Sequence, residues 1–588
     1  MTCEWLITNN DNVERTGLGL FFKSKRFKVY HKGEGIISYE SNSDKMSIII
    51  DGYVLPRIDY ANEFAGYTPA SLIKELYLRY QLGLINYIKG NFVLIILKND
   101  GFYIFNDRIG IRKFFYFIKG KSFIFSNRIK SLTGNINRKI DYESLAIYSL
   151  TNQFIDGMTF LKEVLYSKPS SKICFTGQIS FDSYWNCEEL LNQKIEKISY
   201  EIFSEKFTEI INSYVDYLKP GKISLTLTGG LDSRAILAAL LHLGVKPVTF
   251  TYGHPSSEDV ITAKKIARTF SLDHKNYYVK PSAEWFSDLA DDIIDKGNSI
   301  IHIHRAHRLF SVSASNSIAP NGEILFGGHM GGELIRNFFY DGIITTDFTA
   351  NWLNDKSRGI GLVKSHLERN FVRVDKINLE KVTGILLKQR FSGNNPLKNE
   401  FFFTFLVNAA AYLAQDMNLW ADYKKYSIPV YLDIDLLHLI FASKYNFMYS
   451  KTQFTGLFSR LNSHKLYCHL IHRLFPRLAN IPLAKRGYFT PAEMVKNNRM
   501  VFIAKRLLRL FLAKQQYPAN FPLGEWLNEY AGIRLKALCD SELITDFICV
   551  KDLLELFATN NHQNNEKYWR KFTNPIFFSR LFDFYLKP

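Results

Sequence analysis

The sequence predicts an α/β protein in two parts, an antiparallel-sheet unit followed by a parallel-sheet unit that grades into helices. Three observations predict it. Over residues 1–190, short apolar runs of strand length alternate with Asn, Asp, Gly and Lys. From about residue 200, strand-like and helix-like runs alternate one for one, the pattern of a parallel sheet with right-handed crossovers. Composition permits both: 588 residues, 47% apolar and 22% charged, make an ordinary globular chain, able to bury a core without disulfides or metal.

The first part rests on the runs 47-SIIIDGYV-54, 92-FVLIILK-98, 102-FYIFND-107, 114-FFYFI-118 and 122-SFIFS-126, rich in β-branched and aromatic residues. Between them, 69-PASLIKELYLRYQLGL-84 spaces Leu72, Ile73, Leu76 and Tyr80 at helical intervals behind Pro69. The expectation is an antiparallel sheet with one helix packed on it. In the second part, 223-ISLTLT-228 is a strand, Gly229-Gly230 a bend, and 232-DSRAILAALLHLG-244 a helix closed by Gly244. The strand 247-PVTFTY-252, the helix 258-EDVITAKKIARTF-270 and a strand near 275-KNYYV-279 follow. Beyond residue 360 the patterns are mainly helical. The stretch 401-FFFTFLVNAAAYLA-414 reads as a buried helix, being shorter than the roughly 20 residues a bilayer requires. The stretch 500-MVFIAKRLLRLFLAK-514 is basic and amphipathic, and reads as a core-facing helix with solvated Lys and Arg, with membrane-surface attachment the alternative.

Several classes drop out. Six scattered cysteines with no CxxC pair argue against a disulfide framework and a tetrahedral zinc site. No membrane span is expected. The start MTCEWLITNN lacks a basic n-region and an apolar h-region, so the expected location is cytoplasmic and reduced. A net charge of +18, from 74 Lys and Arg against 56 Asp and Glu, favours anionic partners. The basic residues are dispersed, so nucleic acid is not an expected partner.

The sharpest chemical signal is 228-TGGLDSR-234, between a strand and a helix. Two glycines let backbone approach a ligand, the hydroxyls of Thr228 and Ser233 flank them, and a helix N-terminus behind offers N–H groups to an anion. Asp232 is placed to hold a magnesium ion that bridges phosphate oxygens. No GK[ST] follows, so this is not a Walker A loop; a structural glycine turn is the alternative.

The motif resembles the SGGxDS pyrophosphate loop of ATP pyrophosphatases, and its neighbours resemble the asparagine synthetase B branch. The segment 247-PVTFTYG-253 is similar to the second strand of that family, and 258-ED…AKKIARTFSLDHK-275 to its following helix and turn. The segment 326-FGGHMGGELI-335 resembles the second glycine-rich loop, 429-PVYLDIDLLHLI-440 the PFLDxxLvef segment, and 483-LAKRGYFTP-491 the late KxGFxxP segment. Upstream, 49-IIDGYV-54, Gly90-Asn91-Phe92, 107-DRIGIRKFFY-116, 126-SNRIKSL-132 and Tyr184-Trp185 resemble motifs of a class II glutamine amidotransferase. The resemblance therefore implies an amidotransferase-like, Ntn-type domain over 1–190. An adenine-nucleotide alpha-hydrolase-like synthetase domain of the ATP-pyrophosphatase type would follow over 200–588.

It also implies a reaction. ATP would activate a carboxylate as an acyl-adenylate, with pyrophosphate leaving, and an amine or ammonia would displace AMP. Thr228, Gly229, Gly230, Asp232 and Ser233 would cradle the pyrophosphate end. Leu227, Tyr252, Gly327 and Gly328 would sit at the adenosine end. Asp232 and Glu333 would hold Mg2+, and Lys485 would meet the negative charge growing on phosphate. His329 is either a general base toward the amine or a hydrogen-bonded turn residue. Family members are often dimers, which leaves a homodimer open.

The departures are specific. Gly332 stands where the family has a magnesium-binding acid, and Met330 replaces a glycine. Family glutaminases use a cysteine at position 2, where this chain has Thr2, with Cys3 displaced by about 3.3–3.6 Å of extended chain. Asp51 replaces the oxyanion-hole Asn, and 66-GYTPAS-71 replaces the glutamine-holding SDTE. The expectation is an amide ligase without glutamine hydrolysis. A lasso-peptide-type macrolactam cyclase, a surface-polysaccharide amidating enzyme and a non-catalytic nucleotide-binding or scaffold protein are the alternatives.

Overall fold

A computed structural model describes residues 3–13, 17–33, 36–40, 45–218, 221–278, 283–309, 312, 324–332, 356–389, 398, 415–419, 426–446, 456–484, 489–496, 504, 518, 521, 523–559 and 566–586. The stretch 401–414, and 500–514 apart from residue 504, lie outside them.

Two six-stranded antiparallel sheets make up the N-terminal part. One has the spatial order Leu165–Tyr166, Phe115–Lys119, Ser122–Ser126, Glu4–Thr8, Lys28–Lys32, Gly19–Lys23. The other runs Ile179–Ser183, Ser171–Phe175, Phe102–Asn106, Ile88–Leu97, Lys45–Pro56, Ile36–Glu40. Their facing sides share one core, in which Trp5, Val29 and Phe125 of the first sheet meet Ile49, Val93, Ile95 and Phe102 of the second. On the other side of the second sheet, Ile48, Ile50, Leu94 and Ile96 pack against Leu72, Ile73 and Leu76 of the helix Pro69–Tyr80. A sheet covered on both faces explains why these strands read as unbroken apolar runs instead of alternating ones. The helix starts where Thr68 Oγ1 accepts the Ser71 N–H, with Pro69 next in line.

There are thus two sheets where the sequence suggests one. The pattern hides Gly19–Lys23 and Lys28–Lys32 because Lys23, Lys25, Arg26, Lys28 and Lys32 interrupt 19-GLFFKSKRFKVYHK-32. Lysines are what sheet-edge strands carry against unwanted pairing, and Gly19–Lys23 is an edge strand.

The second part is a five-stranded sheet, parallel throughout, ordered His274–Tyr277, Val248–Tyr252, Ile223–Thr226, Ile324–Gly327, Tyr426–Pro429. In chain order this is 3-2-1-4-5. The direction of winding reverses between Ile223–Thr226 and Ile324–Gly327, and ligands of open α/β sheets bind beyond the carboxyl ends of strands at such a reversal. The helix Leu231–His242 follows the central strand, and Ser257 Oγ caps the helix Glu258–Thr269 by accepting the Val260 N–H. No helix among the described residues is long and apolar enough to cross a membrane.

A buried ionic cluster joins the two parts. Lys89 Nζ lies 2.9 Å from Asp433 Oδ2 and 3.0 Å from Asp435 Oδ2, and Arg57 Nε donates to Asp435 Oδ1 at 2.8 Å. Tyr214 O–H donates to Asp433 Oδ2 at 2.6 Å.

Candidate functional site

The bend after Ile223–Thr226 is built from its own side chains. The Thr228 N–H donates to Ser233 Oγ at 3.1 Å, and the Gly230 N–H donates to Thr228 Oγ1 at 3.3 Å. Gly230 begins the helix with no side-chain cap, which leaves the first-turn amides to an incoming anion. Leu227 is buried beneath the bend, whereas Thr228 is exposed and Gly230 and Asp232 are half-buried. The bend is open, not sealed by side chains.

Gly229 is a glycine for want of space. A Cβ there would lie 2.3 Å from Ala484 Cβ, 3.1 Å from Thr262 Cβ and 3.2 Å from Asp259 Oδ1. The Ala484 N–H donates to the Gly229 carbonyl at 3.1 Å. Arg234, fully buried, donates to the carbonyls of Ile481 at 2.7 Å, Pro482 at 2.6 Å and Gly229 at 3.2 Å. One guanidinium fork therefore ties the late segment 481–484 to the diglycine bend. Burial pushes the Arg234 pKa down to about 9, which still leaves it cationic at neutral pH.

The second glycine loop closes over the same place. A Cβ on Gly328 would meet Asp232 Cβ and the Ser233 nitrogen, each at 3.3 Å, and one on Gly331 would lie 2.8 Å from Asp232 Oδ1. Tyr431 O–H donates to the Asp232 carbonyl at 2.9 Å, and Tyr467 O–H to the Gly331 carbonyl at 3.0 Å. Met330, at φ 68, takes the left-handed conformation that its replaced glycine would favour. Gly332 is described and buried; Glu333 and Lys485 lie outside the described residues.

His329 Nδ1 sits 2.7 Å from the Cβ position of Gly327 and has no hydrogen-bond partner among the described residues. Burial, then Arg308 and Arg305, push its imidazole down to about 3. The ring is neutral at working pH and too weak a base to draw a proton readily from an ammonium. At the end of Val248–Tyr252, the Tyr252 ring stacks on Phe521 at 5.6 Å, and Arg308 donates to its hydroxyl.

The structure thus brings together Leu227, Thr228, Gly229, Gly230, Asp232, Ser233, Gly327, Gly328 and His329, with Tyr252 at the next strand end. Sequence reasoning missed Arg234, Asp259 and the pair Arg305 and Arg308. Arg234 had a signal, since it interrupts the apolar face that runs on through Ala238 and Leu241. Asp232 and Asp259, both beside the bend, are the hard oxygen donors that magnesium takes. No group of three or more His, Cys, Asp or Glu poised for a metal occurs among the described residues, so phosphate oxygens would have to complete such a site.

Thr2 lies outside the described residues. Near Cys3, Asp51 is buried and fully engaged. Its Oδ2 accepts from Trp5 Nε1 at 3.2 Å and Asn127 Nδ2 at 2.8 Å, and its Oδ1 pairs with Arg112 Nη1 at 3.3 Å. Cys3 Sγ stands 3.3 Å from His31 Nε2, and burial followed by the Asp51 charge pushes its thiol pKa well up. A thiol so disfavoured as thiolate is a poor nucleophile.

Residues 220–316 match the family model for asparagine synthase. A curated relative, asparagine synthetase [glutamine-hydrolyzing] 3 of Bacillus subtilis (strain 168), is 24% identical over 188 residues. That match spans 30% of this chain and 30% of the relative. Among solved structures, the NMN synthetase of Francisella tularensis covers 36% of this chain and 97% of its own, at 12% identity and a TM-score of 0.21. The glutamine PRPP amidotransferase of B. subtilis, complexed with ADP and GMP, covers 55% and 75%, at 9% identity and a TM-score of 0.21. Likeness at that level carries no weight for function. The family match takes in the diglycine bend and the strands Ile223–Thr226, Val248–Tyr252 and His274–Tyr277: over residues 220–316 the chain is similar to asparagine synthase, and it is distantly similar to an asparagine synthetase over 30% of its length.

Proposed function

We propose that this chain is an AMP-forming carbon–nitrogen ligase that uses ATP to activate a carboxylate and does not hydrolyse glutamine. One observation carries the reading. Segments 228–234, 327–332, 429–431 and 481–484, far apart in sequence, meet at the carboxyl edge of the sheet where its winding reverses.

The first-turn amides beyond Gly230, with the Thr228 and Ser233 hydroxyls, receive the pyrophosphate end of ATP. Magnesium, when bound with ATP at Asp232 and Asp259, supplies charge neutralisation on phosphate oxygens. A carboxylate oxygen attacks the α-phosphorus, and the bond to pyrophosphate breaks. The amine nitrogen then attacks the acyl carbon, the bond to AMP breaks, and the ammonium proton passes to water. Arg305 and Arg308 add positive charge near His329, where an anionic acceptor would sit. Lys485 directly follows Ala484, which is tied to the bend, and is assigned the charge growing on phosphate. The nitrogen donor is ammonia or a substrate amine: Asp51 stands at the position that, by resemblance, the oxyanion-hole Asn of glutaminases holds, and burial leaves Cys3 disfavoured as thiolate.

ATP–pyrophosphate exchange with pooled carboxylates tests this. Exchange that Asp232→Ala abolishes is the expected result. Absence of nucleotide binding at about millimolar ATP with magnesium would sink the reading in favour of a non-catalytic protein.

A further inference from the structure

A cavity of about 60 Å³ lies where the N-terminal part meets the second part, and none of the glycine-loop residues lines it. Arg112 and Arg128 stand on the N-terminal side, and Lys296, Asn298 and Asn418 on the other. Asn418 Nδ2 donates to the Ile111 carbonyl at 2.6 Å, which seats the helix Gln415–Leu419 against the loop that carries Arg112. A water's share of the liquid is about 30 Å³, so the space suits an occupant of about three or four heavy atoms.

Each side offers a donor that no described residue takes up. Arg112 Nη1 pairs with Asp51 Oδ1 at 3.3 Å and its Nε is sealed by burial, whereas Nη2 is open and donates to none of the described residues. Asn298 Oδ1 accepts the Ile129 N–H at 3.2 Å, which fixes the way the amide faces and leaves Nδ2 uncommitted. One ligand with two acceptor oxygens can satisfy a donor from each side. The backbone under Asn298 is unusual as well. Asn298 and Ser299 follow one another at φ 49 and 63, in the left-handed region that non-glycine residues seldom enter, and such outliers gather at ligand clamps.

The surrounding charge sets the sign of the ligand. Arg112, Lys113, Arg128 and Lys296 line the cavity against one carboxylate, Asp51, whose oxygens are taken by Trp5, Asn127 and Arg112. Arg128 pairs with Glu4 at 3.3 Å and Lys296 with Asp292 at 3.2 Å, and both acids stand outside the wall. Lys113 is committed to the Gly110 carbonyl and faces the charge of Asp107. The helix Ala283–Lys296 ends at the cavity, and its last carbonyls would repel an anion. Those of Ile293, Ile294 and Asp295 are instead covered by the N–H groups of Gly297, Ser299 and Asn298, at 2.8, 3.1 and 3.0 Å. The open guanidinium N–H of Arg112 thus matches one negative charge, and the second charge of a dianion would be left uncompensated.

We propose that this cavity binds a small planar oxyanion of single charge, of the formate, nitrate or bicarbonate kind, between Arg112 Nη2 and Asn298 Nδ2. Bound there, the anion clamps the N-terminal part to the second part. The site is independent of the ligase reading and of ATP.

The test uses the full chain at constant ionic strength, with sodium chloride replaced stepwise by sodium formate or sodium nitrate. The expected result is a Kd of about 1 mM for each by titration calorimetry, and a Tm raised by about 2 °C at about 100 mM anion. Nitrate is not one of the salts that stabilise proteins by exclusion from their surface, so a rise with nitrate reports binding. Urea, planar but neutral, should not bind at that concentration. Arg112→Lys keeps a charge beside Asp51 but loses Nη2, and Asn298→Gly accepts the left-handed backbone but loses Nδ2; each should bind formate about tenfold more weakly. Glycine fits that backbone without strain, so Asn298→Gly gives the answer even if Arg112→Lys does not fold. Formate and nitrate that neither bind nor raise Tm, unchanged formate affinity in Asn298→Gly, or tighter binding of urea or sulfate than of formate would each overturn the proposal.

Discussion

Replacing Lys89 by Met removes the one cation shared by two buried carboxylates while keeping side-chain length. Lys89, Asp433 and Asp435 have side chains 1%, 0% and 3% exposed, so solvent screens them little. Removing one partner of such a cluster strands uncompensated charge and typically costs about 3–5 kcal/mol. At ~2.1 cal/mol/K per residue, a chain of 588 residues has an unfolding entropy of ~1.2 kcal/mol/K, so Tm should fall by about 2–4 °C. The acid limb gives a second measure. Burial pushes the Asp435 carboxyl up, but Lys89 and Arg57 outweigh it and hold the pKa at about 2 against an ordinary 3.8. A depressed carboxyl contributes stability that is complete above pH 3.8 and lost as pH falls through 2. The difference is worth about 2 kcal/mol. In Lys89→Met the folded pKa rises, so acid destabilisation begins at higher pH. Differential scanning calorimetry from pH 3 to 8 is the assay. A Tm within about 1 °C of the parent at pH 7, with an unshifted acid limb, would refute the reasoning.

Gly229→Ala drives a methyl to 2.3 Å from Ala484 Cβ; because Arg234 pins that segment, exchange should fall by about a hundredfold with the circular dichroism unchanged. Arg234→Lys keeps the charge but loses the fork across the Ile481, Pro482 and Gly229 carbonyls; about a tenfold or greater loss of kcat is expected in the exchange assay. Alkylation at pH 8 should label exposed Cys539 well before Cys3, whose thiol is pushed up by burial and Asp51. Cys3→Ala should leave exchange unchanged, and the parent should release no glutamate from glutamine.

The sequence was legible where local chemistry and topology agree. The run 223-ISLTLT-228 reads as a strand, and the strand spans Ile223–Thr226, with the Leu227 N–H still donating to the Phe250 carbonyl at 2.9 Å before the bend begins. The short strands Ile324–Gly327 and Tyr426–Pro429 were not legible, because four residues give too little periodicity, and each runs directly into irregular chain, a glycine loop in the first case and the 3-10 turn Val430–Leu432 in the second. The glycine loops announced themselves through spacing. Arg234, Tyr431 and Tyr467 did not, since each acts on a backbone carbonyl brought near only by the fold. Asp51 was legible as a departure, but its neutralisation by Trp5, Asn127 and Arg112 was not, because these partners come from three other segments.

The stretch 427–435 gives a physical reason for retaining the N-terminal part that is independent of any chemistry there. Asp433 Oδ1 caps the helix Ile434–Ala442 by accepting the Asp435 and Leu436 N–H groups, while its Oδ2 meets Lys89 and Tyr214. Two residues earlier, Tyr431 holds the carbonyl of Asp232 in the diglycine bend. Upstream, the Ser427 carbonyl accepts from Tyr53 and Asn91 of the second antiparallel sheet. One short segment is thus gripped by the N-terminal sheet on one side and grips the diglycine bend on the other. Contiguity of this kind becomes coupling only when both ends respond to one perturbation. Lys89→Met supplies it: if the N-terminal part braces the bend through Tyr431, the variant loses exchange activity well below its Tm, and Tyr431→Phe in the same background adds less than it does alone. Full exchange activity in Lys89→Met would show that the N-terminal part contributes to stability and nothing to the bend.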